Sequence, residues 1–124
     1  MTGGRCPCGY GLPYDECCGR LHDGQATAST AEQLMRSRFS AFAVGDTAYL
    51  RRTWLEPPPE LELDAGQRWT RLEILGKTGG GPFHTEGTVE FRAHYIADGV
   101  KDSMHENSAF SRVDGQWVYV APVA

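Results

Sequence analysis

The sequence predicts an α+β protein: a small cysteine-rich head, then helices, then an antiparallel sheet on which those helices pack. Three observations carry that expectation. All four cysteines fall within "CPCGYGLPYDECC", from Cys6 to Cys18. A segment of helical period follows, from Ala31 to Gly45. The last third of the chain alternates apolar and polar residues and contains two Asp-Gly pairs, Asp98-Gly99 and Asp114-Gly115, each a signal for a two-residue hairpin. The expected division is a head in residues 1–24 and an α+β domain in residues 25–124.

The head has the spacing C-x-C, eight residues, then C-C. Disulfides would need a bridge between neighbours or crossed bridges closing very small loops, and disulfide geometry tolerates neither well. Four thiolates around one tetrahedral Zn2+ meet the same spacing with a knuckle and a turn. Cys6, Cys8, Cys17 and Cys18 are therefore the predicted ligands of one structural zinc. Gly9 and Gly11 free the backbone to fold back, so that amides can point at sulfur. Pro13 suits the first position of a short helix bearing Cys17 and Cys18, and Gly19 suits its end. Arg5 and Arg20 flank the cluster and offset its negative charge. His22 is the one substitute ligand, for Cys17 or Cys18; otherwise it is a linker histidine or a hydrogen-bond donor to a thiolate. Four protein ligands leave no open position for water, which marks a structural rather than a catalytic centre.

The run "CPCGYGLPYDECCGRLH", with "LMRSRFSAF", "EGTVEF" and "HENSAF" after it, resembles the YchJ family of small bacterial proteins over nearly the whole chain. Within it, the cysteine pattern resembles the SEC-C motif, the zinc knuckle at the C-terminus of the secretion ATPase SecA. The resemblance implies a SEC-C knuckle joined to a cystatin-like cone of the nuclear transport factor 2 (NTF2) type. It implies no particular activity. Because such knuckles look like docking elements in SecA, it also implies a protein partner at the head.

Residues 23–30, "DGQATAST", form a linker, and Ser29 or Thr30 can cap the first long helix with Glu32 or Gln33 three residues on. Ala31, Leu34, Met35, Phe39 and Phe42 make its apolar stripe, and Gly45 stops it. Asp46 can cap a second short helix carrying Tyr49, Leu50 and Trp54. "EPPPE" is a loop, because consecutive prolines continue neither helix nor ladder. A strand is expected around Leu72 and Ile74, before the flexible "GGGP".

Two-residue turns fix the register of the sheet. They place Ala93 opposite Met104, Phe91 opposite Glu106, Val89 opposite Ser108 and Phe110 opposite Tyr119, all on the core face. Glu90, Arg92, His94, His105 and Asn107 take the other face. Glu106 is then a carboxylate amid apolar neighbours and needs a partner. Arg38 lies on the apolar stripe of the helix and can supply one. An Arg38–Glu106 ion pair is expected, either as a tie between helix and sheet or as the polar floor of a cavity for a small ligand. His105 and Glu106 point to opposite faces and make no dyad.

A net charge of -4 with no basic stripe argues against nucleic acid as a partner. No apolar run approaches the ~20 residues needed to span a bilayer, and the first residues contain no apolar signal core. A cytoplasmic protein is expected, with its thiols reduced. The chain has no phosphate-binding glycine loop, no G-x-S-x-G and no H-E-x-x-H, and its thiols are assigned to metal. This favours a non-enzymatic docking or adaptor module, with a small-molecule binder or enzyme using the cone as the alternative. Val118 and Val120 on the outer sheet face suggest a homodimer as a further option. Metal removal is expected to unfold the head and spare the domain.

Overall fold

The computed structural model describes residues 4–64 and 66–123. In the head, Gly4 to Cys6 pairs with Leu12 to Tyr14 as a small hairpin, through Cys6 N–H to Leu12 O (2.8 Å) and Tyr14 N–H to Gly4 O (3.1 Å). A 3-10 turn, Tyr14–Glu16, leads into α1, Cys18–His22. Helices α2, Ala31–Val44, and α3, Thr47–Arg52, come next. Four strands complete the chain: β1, Gln67–Gly79, β2, Glu86–Ala97, β3, Val100–Val113, and β4, Gln116–Pro122. They form one antiparallel meander in the order β1-β2-β3-β4.

Local chemistry accounts for most of these boundaries. Thr30 is the N-cap of α2, its hydroxyl accepting from Gln33 N–H, and Gly45 closes the helix in the left-handed region at φ 80°. Asp46 caps α3 through the Tyr49 amide (3.0 Å). Trp54 lies just beyond α3, where residues 53–55 run beside β4: Tyr119 N–H donates to Thr53 O and Leu55 N–H to Tyr119 O. Both Asp-Gly hairpins have left-handed φ at each turn residue, Asp98 51° and Gly99 82°, Asp114 52° and Gly115 80°. All four expected cross-strand pairs are present. Register shifts at Trp69/Arg71, Ile74/Gly76 and Ala109/Phe110 bend the outer strands, a feature no local signal announced.

The core lies between α2 and the inner sheet face, with Leu34, Phe39, Val89, Phe110 and Trp117 at its centre. The opposite side of α2 is covered as well: Ser37, Ser40 and Ala41 are completely buried there. The head lies against it. Leu21 belongs to the main core, His22 reaches Ser37 O, and Cys6 Sγ lies 3.4 Å from Ser40 Oγ. Contacts of this kind cross the division expected at residue 24, and they change the expectation that the head unfolds alone. Gly19 differs too. It sits inside α1 instead of ending it, pressed against Tyr14, where a Cβ would lie 2.7 Å from the Tyr14 carbonyl oxygen.

Candidate metal centre and inner cavity

The head hairpin delivers Cys6 and Cys8, and the start of α1 delivers Cys17 and Cys18. All four are free thiols, and their sulfurs lie within 4.8 Å of one another. Cys8 and Cys17 sulfurs are 3.6 Å apart and those of Cys17 and Cys18 4.0 Å apart. A tetrahedron with metal–sulfur bonds of ~2.3 Å has edges of ~3.8 Å, so the cluster has the size of a four-thiolate cage and can hold a metal ion. Gly9 and Gly11 adopt φ of 81° and 98° to bring the chain back. The Gly9 amide is taken by the Cys6 carbonyl oxygen (3.2 Å) rather than by a sulfur.

Cys6, Cys8 and Cys18 are buried and Cys17 half-buried. Without a cation such a cluster cannot ionise evenly. The Cys18 and Cys8 thiols hold Cys6 far below the ordinary thiol range, while Cys18, beside Cys6 and Cys8, is driven far above it. Burial pushes Cys17 up to about 12. A bound cation would relieve this conflict. Arg36, from α2, lies beside the cluster: Nη1 donates to Cys8 O (2.9 Å) and its guanidinium stacks near the Tyr10 ring. Arg5 is turned to Gly11 O and Arg20 is exposed.

His22 lies outside the four-sulfur cluster, with both ring nitrogens engaged. The Ser37 carbonyl (2.8 Å) can only accept, so Nε2 carries a hydrogen, and Nδ1 is hydrogen-bonded to the Tyr14 hydroxyl (2.5 Å). Its ring also packs against Tyr49, and Arg52 donates to the carbonyls of Leu21 and His22. His22 thus ties the head to α2. Its position four residues after Cys18 left a substitute ligand and a linker histidine both open, because spacing alone does not tell the two apart.

Arg38 and Glu106 both reach one cavity of about 250 Å³ between α2 and the sheet. The expected direct ion pair is absent. Arg38 Nη1 instead donates to two carbonyls and a hydroxyl where α3 ends, Leu50 O (2.9 Å), Thr53 O (3.3 Å) and Thr53 Oγ1 (2.8 Å). Its guanidinium carbon lies 5.1 Å from the Trp54 ring centre and 4.9 Å from that of Tyr119. Glu106 Oε2 accepts from Ser108 Oγ (2.5 Å) and Tyr119 Oη (3.0 Å). Tyr119 therefore stands between the two charges. Burial lowers the Arg38 pKa to about 10, and burial with Glu106 raises that of Tyr119. On the outer face His94 pairs with Glu73 and His105 with Glu90, while Val118 and Val120 are half-buried. Among the described residues no helix is long and apolar enough to cross a membrane.

These features define a class: an NTF2-like α+β body with a four-cysteine knuckle of the SEC-C kind packed on its long helix. The family model described as "YchJ, middle NTF2-like domain" matches residues 30–122. A UPF0225 protein of Streptomyces coelicolor is 56% identical over 116 residues, covering 92% of this chain and 90% of its own. Another, from Corynebacterium glutamicum, is 56% identical over 122 residues, covering 94% of each. The chain belongs to the YchJ, or UPF0225, family. The solution structure of a SEC-C motif containing protein from Rhodopseudomonas palustris superposes with a TM-score of 0.79 at 33% identity, covering 100% of this chain and 98% of that one. The crystal structure of a SEC-C motif containing protein from Psychrobacter arcticus gives 0.75 at 27% identity, covering 96% and 81%.

Proposed function

We propose that this protein is a non-enzymatic docking module organised by one structural zinc, with Cys6, Cys8, Cys17 and Cys18 as ligands and His22 as a strut outside the shell. The observation that carries this reading is the convergence of four largely buried sulfurs with no histidine or carboxylate joining them among the described residues. Zinc suits such a site, being bound tetrahedrally by soft thiolates without redox chemistry, and a saturated shell has no position for a substrate. What the centre organises is a surface. The hairpin holds Tyr10 (66% exposed) and Leu12 (41%) out to solvent. Both border a groove of about 410 Å³ between the head and the N-terminal half of α2, with Arg20 and Gln33 at its polar edges. Exposed aromatic and apolar side chains beside polar ones are what a protein partner uses as anchors.

Two measurements test this. The protein purified without added metal should hold one zinc per chain, and a Cys8→Ser, Cys17→Ser variant none. A photo-crosslinking residue at Tyr10 should capture one discrete protein in the native cell, and the same residue at Arg92 on the outer sheet should not. Metal-free wild-type protein would remove the zinc centre. Equal or absent capture at both positions would remove the docking role.

A further inference from the structure

We propose that the inner cavity is a binding site for a compact aromatic monocarboxylate that carries a hydrogen-bond donor. The proposal is independent of the docking reading, because it uses neither the cysteines nor the groove. It rests on Arg38, which is only 4% exposed and lines the cavity. Its hydrogen bonds all come from Nη1. Among the described residues Nε and Nη2 have no protein acceptor, and Arg38 forms no ion pair within 4.0 Å. An arginine pinned at one nitrogen keeps its other edge as two parallel N–H donors, the geometry that grips a carboxylate in bidentate fashion. At pH 7 the group remains a cation even with its pKa lowered to about 10. Glu106 shares the cavity but stands beyond Tyr119, so this buried cation has no direct ion-pair partner among the described residues, and a ligand carboxylate supplies one.

The rest of the cavity sets the body of the ligand. Phe42, Trp54, Trp69 and Phe91 line it with aromatic surface. A dry apolar cavity of ~150 Å³ accepts one benzene ring. The volume here, about 250 Å³, has room for one ring and a short acid arm. Glu106 excludes a second negative charge by repulsion, which disfavours a phosphate dianion. It also asks for a donor: Oε2 is satisfied by Ser108 and Tyr119, while Oε1 has no donor among the described residues. A hydroxyl or N–H on the ligand meets it.

The test uses the whole chain as purified, with methyl-labelled methionine, because Met35 and Met104 both line the cavity. Three probes sharing a ring and a hydroxyl are titrated: 4-hydroxyphenylacetate, its neutral amide, and tyramine. The acid is expected to shift both methyl signals saturably and to bind at least about tenfold more tightly than the amide, the scale of one charge-assisted interaction. Tyramine should bind more weakly than the amide. Arg38→Gln should reduce the acid to the affinity of the amide, and Met104→Trp, which fills the cavity, should abolish binding. Should either variant fail to fold, the probe series on the wild type decides alone. An amide that binds as tightly as the acid, a preference for tyramine, or no saturable shift at millimolar probe overturns the proposal.

Discussion

Removing the proposed zinc from the cysteine cluster is expected to unfold the whole protein in one transition, not the head alone. The reason is that α2 is buried on two sides, and the head is one of them. Loss of the head would expose Leu21, now 4% accessible, at about 2 kcal/mol for a buried leucine. It would also break the hydrogen bonds from His22 to Ser37 O, from Arg36 to Cys8 O, and from Arg52 to the carbonyls of Leu21 and His22. At about 1 kcal/mol each, these bring the coupling to about 6 kcal/mol, comparable with the ~5–15 kcal/mol that stabilises an entire small domain. Chelator-treated and untreated protein are compared by thermal melting and by amide exchange in β2 and β3. A single transition at much lower temperature, with sheet protection lost, is the expected result. Two transitions, with sheet amides as protected as before and the upper midpoint unmoved, would refute the coupling and make the head an independent appendage.

Two further perturbations probe the same framework. Gly19→Ala puts a Cβ 2.7 Å from the Tyr14 backbone oxygen, which cannot rotate away, so about 1–3 kcal/mol of stability should be lost. Denaturant midpoints and bound metal measure it, and an unchanged midpoint would show that α1 shifts freely against the head. The second is alkaline. The Tyr119 pKa is raised above the ordinary 10.0, first by burial and then by Glu106. The native state therefore holds a proton that the unfolded chain releases. Tyr119's contribution is complete below pH 10 and is lost as pH rises through its higher folded value. Tyr119→Phe should cost about 1 kcal/mol at neutral pH through the lost bond to Glu106, yet flatten the alkaline decline. Denaturant midpoints at neutral pH and at about pH 11 test this, and parallel declines in both proteins would exclude Tyr119 as a source.

Much of this architecture was written in short-range chemistry. The caps at Thr30, Gly45 and Asp46 depend on residues within four positions of each other, and the two Asp-Gly turns fix the partners of Phe91 and Phe110 because a strand has only two faces. The cysteine cluster was legible for a related reason, since residue type and spacing alone limit what four close thiols can do. The contacts of the head with α2 had no such signal. Ser37 and Ser40 look like a polar helix face, and only the arrival of α1 and Cys6 buries them. Arg38 and Glu106 were each recognisable as polar groups in apolar surroundings, but their partners were not. The end of α3 and the ring of Tyr119 come to them from 12 or more residues away and engage one edge of each separately, Nη1 of Arg38 and Oε2 of Glu106. The sequence by itself determined the helix caps, the cross-strand pairs set by the two Asp-Gly turns and the grouping of the cysteines, because these depend on neighbours along the chain. Tertiary structure alone decided that the head shares the core, that His22 is a strut, and that a buried arginine faces a cavity. Those outcomes depend on which surfaces meet, and burial then selects a hydrogen-bond partner from whatever lies within reach.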